Sequence, residues 1–243
     1  MLDERLPDFI KRAKEAKIPY VFLTTNGTLL DKLGCELLEC SLDSMNISTD
    51  GHSSEMYEKI RGFPLEKVEE GVIKCAKYAR ELNTKEHNIS FNINCVLVYN
   101  EMRNDEFKAT FAHKWRKWRD IITHINFISC INKNNKGESI LPLINPTNSV
   151  CRLPFTRMMI NSYGAVEFCC TMLGTQHYYP VKLPNIHDDS LENIWTKEFA
   201  THLRNEVLSD NYTRFNICKT CFERESSVLE LNGESKQNNV DIY

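Results

Sequence analysis

The sequence predicts an α/β layer or part of a (βα) barrel over residues 1–135. A small cysteine-rich module with a β-hairpin and a helix follows over 136–225, and then a flexible tail over 226–243. Three observations carry this division. Apolar runs of strand length alternate with segments of helical periodicity; the texture turns polar and Pro-broken after residue 130; and the clustered cysteines all lie beyond that break.

The elements follow in order. Residues 3–16 read as a helix, and "IPYVFL" (18–23) as a strand with Pro19 near its start, where a missing N–H is tolerated. "TTNG" ends that run. "SMNIST" (44–49) is the next strand and stops at Asp50-Gly51; the helix from about Pro64 then carries Val68, Val72, Cys75, Ala76 and Ala79 on one face. "ISFNINCVLVY" and "ITHINFISC" supply two more strands. Between them Phe107, Phe111, Trp115 and Trp118 recur at i, i+4, i+8 and i+11. Strands separated by helices of this length imply parallel pairing through right-handed crossovers. The interleaving in "HKWRKWRD" also resembles a stacking platform for single-stranded nucleic acid, but helical spacing favours a core stripe with a basic solvated face.

A net charge of -3 and a pI near 6.2 give no bulk reason to expect nucleic acid or an anionic membrane as partner. The apolar runs are far shorter than a bilayer span, and "MLDERLPDF" is not signal-like, so a cytoplasmic chain is expected. Ten cysteines in that compartment point to metal or redox chemistry rather than disulfides. Cys35, Cys40, Cys75, Cys95 and Cys130 lie singly among apolar neighbours and read as small buried hydrophobes. Cys151, Cys169, Cys170, Cys218 and Cys221 cluster.

The stretch "CRLPFTRMMINSYGAVEFCC" (151–170) explains the clustering. Thr156, Met158 and Ile160 alternate with their neighbours, "NSYG" reads as a hairpin loop with Gly164 at a positive φ, and Val166 and Phe168 resume the alternation. Folding there lets Cys151 and Cys169 approach one another. "CKTC" (218–221) presents two further sulfurs from one tight turn, giving a four-thiolate site that suits either structural Zn²⁺ or an iron–sulfur cluster.

Cysteine, twelve residues, glycine, four residues, cysteine, then a distant CxxC resembles the SPASM or twitch-type domain at the C-terminus of many radical S-adenosylmethionine enzymes. "CRLPF" resembles that domain's opening and "LPNIHDDSLENIW" its Ser-Leu-x-x-x-Trp segment, with Pro184 in place of a glycine. Upstream, "TTNGTLLD" and "ISTDGHSSEMYEKIRG" resemble barrel strand ends of the same enzymes, so the fold implied for the first region is a partial radical S-adenosylmethionine barrel. The resemblance implies that Thr25, Asn26, Ser48, Asp50 and Arg61 line an S-adenosylmethionine pocket, although Asn-Gly and Asp-Gly are also ordinary turn chemistry. It further implies one auxiliary 4Fe-4S cluster on Cys151, Cys169, Cys218 and Cys221, with Cys170 a neighbour or alternate ligand.

The family's CxxxCxxC occurs nowhere in these residues. Roughly two βα units are expected to precede what is present, so S-adenosylmethionine and a second 4Fe-4S cluster are expected only if an N-terminal segment or partner is supplied, and the chain alone is expected to generate no radical. The function expected is modification of a peptide, protein or small-molecule substrate, with no catalytic residue assigned. The alternative is a stand-alone scaffold or binding protein built on a four-cysteine zinc or iron–sulfur site.

Overall fold

The computed structural model describes residues 3–82, 89–129, 150–169, 182–219 and 239–241. The chain forms two compact units, residues 1–130 with 236–243 and residues 131–235. Cys130, Cys170, Cys221, the connector over 131–149 and most of the expected tail lie outside the described residues. Within the tail, 239–241 form a strand.

The first unit opens with helix α1 (Leu6–Glu15). Strand β1 (Phe22–Thr25) starts later than the apolar run suggests. Lys17 turns the chain at φ 59°, Pro19 follows, and the Val21 N–H donates to the Asp43 carboxylate at 2.6 Å, so 18–20 stay out of the sheet. Helix α2 (Leu30–Glu39) then buries Leu30, Gly34, Leu37 and Leu38, a spacing visible in the sequence but not read there as a helix. Strand β2 (Ser44–Ser48) leads to α3 (Ser54–Arg61), which Ser53 caps by accepting the Met56 N–H and Gly62 closes at φ 66°. Helix α4 (Leu65–Leu82) buries all five residues of its expected apolar face.

Helices α2 and α4 meet at Gly34, where a Cβ would overlap the Cys75 sulfur. The missing side chain therefore sets how closely the two helices approach. Strand β3 (Ser90–Leu97) precedes α5 (Asp105–Trp115), which Asn104 caps by accepting the Phe107 N–H at 2.7 Å. A 3₁₀ turn over Arg116–Trp118 and strand β4 (Ile122–Ser129) follow. Among the described residues the sheet order is β1-β2-β3-β4, all parallel, with β7 (Asn239–Asp241) antiparallel to β4.

Met45, Ile47, Phe91, Ile93, Cys95 and Ile125 pack with the helix faces into one core that includes Phe107, Phe111, Trp115 and Trp118. The stacking-platform reading is thereby overturned: Trp115 is 2% and Trp118 8% exposed, because the 3₁₀ turn keeps Trp118 on the core side. Arg116, Lys117 and Arg119 form the solvated face. Cys40, Cys75 and Cys95 are buried and Cys35 half-buried; burial pushes the Cys75 and Cys95 thiols up to about 12, as expected of inert core sulfurs.

In the second unit, Leu153–Thr156 form a short helix, α6, so Thr156 does not belong to the hairpin expected there. Pro154 suits the first turn of a helix, and the Thr156 hydroxyl donates back to the Arg152 carbonyl at 3.1 Å. The ribbon is confined to β5 (Met159–Ile160) and β6 (Val166–Glu167). Its loop is as expected: Gly164 has φ 78°, and the Asn161 side chain accepts the N–H groups of Tyr163 and Ala165. The Pro184 carbonyl accepts the Val166 N–H at 2.8 Å, a role that needs no donor from residue 184. Helices α7 (Leu191–Thr196), α8 (Glu198–Ser209) and α9 (Asn216–Lys219) complete the described part. No described helix is long and apolar enough to cross a membrane.

Candidate functional site

Side chains of a strand alternate between faces, so what the helices cover fixes what the other face presents. In the first unit the core takes Met45, Ile47, Phe91, Ile93 and Ile125. The intervening residues, Thr24, Asn46, Ser48, Asn92, Asn94 and Asn126, stand on the opposite face. Parallel sheets are ordinarily apolar on both sides. Here one side carries hydroxyls and amides along its middle, with Phe22, Val96 and Ile128 toward the strand termini, and the strands β1 to β4 contain no Asp, Glu, Lys or Arg.

Register places these groups in rows. Asn92 Nδ2 donates to Asn46 Oδ1 at 2.8 Å and to Ser44 Oγ at 3.1 Å, while Asn92 Oδ1 accepts from Thr123 Oγ1 at 3.1 Å and lies 3.3 Å from His124 Nδ1. Asn46 Nδ2 reaches Thr24 Oγ1 at 3.5 Å. Nearer the carboxyl ends, Ser48 aligns with Asn94, and Asn126 Nδ2 donates to Asn94 Oδ1 at 2.9 Å. A register shift at Phe91/Asn92 brings both Thr123 and His124 to Asn92. Asn46, Asn92, Asn94 and Asn126 were not singled out from sequence; the signal was present, since "FNIN" alternates Asn92 and Asn94 with core side chains and "HINF" does the same with His124 and Asn126.

The five residues implied for the S-adenosylmethionine pocket lie at or just beyond these strand ends. Thr25 is buried and its Oγ1 accepts the Gly27 N–H at 3.2 Å; Asn26 is exposed and its Oδ1 accepts from the Thr28 amide and hydroxyl. Both build their own turn. Asp50 is 1% exposed, ion-pairs with Arg61 at the end of α3, and accepts the Val96 N–H at 2.6 Å. That pair fixes the loop after β2 against β3. Ser48 is half-buried in line with Asn94.

In the second unit Cys151, Cys169 and Cys218 all pack against one cluster formed by Val166, Phe168, Ile194, Leu203, Val207, Phe215 and their neighbours. Phe168 stacks on Trp195 and Phe199, each at 5.8 Å between ring centroids. Among the described residues no group of three or more His, Cys, Asp or Glu side chains is disposed to hold a metal ion; Cys221, the fourth of the expected set, is not among those residues.

Two charged residues of α8 organise the surroundings of these cysteines. Glu206 is 9% exposed and accepts the backbone N–H groups of Thr213, Arg214 and Phe215 and the Thr213 hydroxyl. Burial alone would push its carboxyl up, but these hydrogen bonds outweigh it and hold the group below the ordinary carboxylate value. Phe215 in turn accepts the Cys218 N–H at 2.8 Å, so the carboxylate sets the approach of the chain to that cysteine. Arg204 Nε donates to the Pro154 carbonyl at 3.0 Å and Nη1 to the Trp195 carbonyl at 2.7 Å, with the guanidinium 4.2 Å from the Trp195 ring centroid. Its Nη2 is buried without a partner, and burial lowers the pKa of the group. A buried, orphaned cationic N–H in a unit whose core also receives three thiols is what an anionic cluster would satisfy, so these residues fit an iron–sulfur group.

Residues 151–222 match the SPASM family, an iron–sulfur cluster-binding domain. Two probable GTP 3',8-cyclases are similar in sequence. That of Methanococcus maripaludis is 39% identical over 75 residues, 30% of this chain and 25% of the relative. That of Sulfolobus acidocaldarius is 37% identical over 73 residues, 30% of this chain and 23% of the relative. The matched stretch thus spans about a quarter of these relatives' length. In fold, the chain is similar to SuiB of Streptococcus suis, with a TM-score of 0.60 at 16% identity over 91% of this chain and 58% of SuiB. It is also similar to anSMEcpe with bound AdoMet and the Kp18Cys peptide, with a TM-score of 0.53 at 19% identity over 97% of this chain and 76% of that one. The chain thus shares its fold with SuiB and anSMEcpe and matches, over 151–222, the SPASM iron–sulfur cluster-binding domain.

Proposed function

We propose that the chain takes part in radical S-adenosylmethionine modification of a peptide or protein substrate. In this reading the polar sheet face contacts the substrate, Ser48 and Asn94 lie toward S-adenosylmethionine at the strand ends, and Cys151, Cys169, Cys218 and Cys221 hold one auxiliary 4Fe-4S cluster. The observation that carries the substrate class is the neutral amide layer formed by Asn46, Asn92, Asn94 and Asn126. Amides pair with peptide N–H and C=O groups, whereas a nucleoside triphosphate, the substrate named for the cyclase relatives, calls for Lys or Arg, which strands β1 to β4 lack. SuiB bound to its precursor peptide SuiA and anSMEcpe with a bound peptide support the same class.

The cluster, when bound, supplies electrons or a Lewis-acidic anchor. The chain's own residues hold and orient: Glu206 fixes the approach to Cys218, Gly164 and Asn161 shape the loop before Cys169, and α6 carries the chain away from Cys151. Asp50 and Arg61 brace the strand-end loop. S-adenosylmethionine cleavage needs three further cysteines in CxxxCxxC spacing, supplied by another segment or chain.

Calorimetry on the anaerobically reconstituted protein tests this reading. With a segment or chain carrying CxxxCxxC supplied, S-adenosylmethionine binding is expected, weakened by Ser48→Leu and Asn94→Leu, and GTP is expected not to bind. GTP binding that weakens steeply with salt would reject the peptide assignment.

A further inference from the structure

Of the charged side chains on α8, Arg204 is the one with a buried polar atom left without a partner; on β6, Glu167 likewise buries both carboxylate oxygens unpartnered. A guanidinium is always charged and carries five N–H donors in a rigid fork. Taking it out of water is costly unless an anion or acceptors receive those donors. Here Nε and Nη1 are satisfied by the carbonyls of Pro154 and Trp195, and Nη2 is not satisfied at all. The charge is equally uncompensated. The ion pairs of this unit join Lys182 to Asp188, Lys197 to Asp189, and His202 and Arg214 to Glu198; among the described residues no carboxylate pairs with Arg204.

What holds the guanidinium also fixes where it lies. Pro154 is three residues beyond Cys151, in the one turn of α6. Phe168, whose ring centroid lies 5.9 Å from the guanidinium carbon, directly precedes Cys169. Leu203, the neighbour of Arg204 on α8, is fully buried in the cluster against which Cys151, Cys169 and Cys218 all pack. The side chain therefore ties the segment after Cys151 to the segment before Cys169. Four thiolates on an oxidised 4Fe-4S core leave a net charge of about −2, more negative after one-electron reduction, and such a group accepts N–H bonds at its sulfurs.

We infer that Arg204 Nη2 donates a hydrogen bond to a sulfur of the auxiliary cluster, and that its charge raises the cluster's reduction potential by favouring the more negative reduced state. This rests on the four-cysteine cluster proposed above. It makes Arg204 a residue that tunes the centre without ligating it, in addition to clamping two of the ligand-bearing segments.

The test uses the full chain, reconstituted with iron and sulfide under anaerobic conditions, and an EPR-monitored redox titration. Arg204→Gln is expected to keep the wild-type iron content and to titrate at a lower potential. Arg204→Lys, which keeps the charge but not the fork, should fall between the two. A wild-type potential in Arg204→Gln, at full iron content, would overturn the inference. Should Arg204→Gln fail to fold or to retain iron, the wild-type protein labelled with ¹⁵N-arginine decides the matter: pulsed EPR of the reduced cluster is expected to show coupling to a guanidinium nitrogen, and absence of coupling overturns the inference. A wild-type chain that takes up zinc and no iron rejects the cluster itself, which is a different outcome from an unshifted potential.

Discussion

The Glu206 carboxylate accepts the backbone N–H of Phe215 at 3.1 Å, three residues before Cys218. With the amides of Thr213 and Arg214 also pointed at it, a single side chain fixes the path from the end of α8 to the start of α9. Glu206→Ala should cost about 2 to 3 kcal/mol, since it strands buried donors that a charged acceptor had satisfied, and it should lower iron retention. Denaturant titration and iron analysis of the reconstituted protein read the two effects. Glu206→Gln, which keeps one acceptor, should lose less.

The same residue gives a pH dependence of known sign. Its folded-state pKa lies below the unfolded value, so its contribution is fully present above the unfolded carboxylate pKa of about 4.3 and is lost as pH falls through the depressed folded value. Chemical denaturation across acidic pH should show the wild type losing more stability than Glu206→Gln. Parallel pH profiles would contradict this.

Asp50 and Arg61 form a pair in which the carboxylate is buried and the guanidinium is one-third exposed. Arg61→Ala leaves the Asp50 charge without its partner and should cost about 3 kcal/mol, the low end for a broken buried pair because water reaches the arginine side. Asp50→Asn should cost less, because the amide oxygen still accepts the Val96 N–H. The order of the two midpoints in urea is the discriminating measurement.

Gly34 and Cys75 are predicted to be energetically coupled. Gly34→Ala forces a methyl into the space of the Cys75 sulfur and should destabilise by about 1 to 3 kcal/mol. Combining it with Cys75→Ala should recover part of that loss, so the double-mutant cycle closes with a non-zero interaction term. Additive losses would mean that α2 and α4 separate at little cost.

Trp115→Ala should unfold or strongly destabilise the first unit, by about 3 to 5 kcal/mol for a truncated buried tryptophan. Arg116→Glu with Lys117→Glu, on the solvated face, should leave the thermal midpoint within a degree or two, since surface changes of this kind shift stability by about 0.5 kcal/mol.

The sequence was most informative where one residue type has one physical use. Gly164 takes the positive φ that its hairpin loop needs, and the i, i+4, i+8, i+11 aromatics all turn inward. It was less so where two readings share a pattern. The run 18–23 has the composition of a strand, yet the Lys17 turn and the pairing of Val21 with Asp43 move the strand to 22–25. Thr156 fits an alternating ribbon equally well, but Pro154 two residues earlier starts a helical turn. Asp50 and Asn26 stood out as ligand candidates because their motifs resemble barrel strand ends of radical S-adenosylmethionine enzymes, while the asparagines that line the sheet face were hidden as ordinary strand residues. Their significance depends on register between strands, a tertiary property that no local window contains.

That register has one more consequence. The hydrogen bonds of the upper row all run in one sense, from Thr123 to Asn92, from Asn92 to Asn46, and from Asn46 to Thr24. No single amide in the row can turn over without breaking the bond on either side of it, so the donors and acceptors that the row offers a ligand change together or not at all. A peptide laid along such a surface meets a polarity. It can match the row in one chain direction and not in the other.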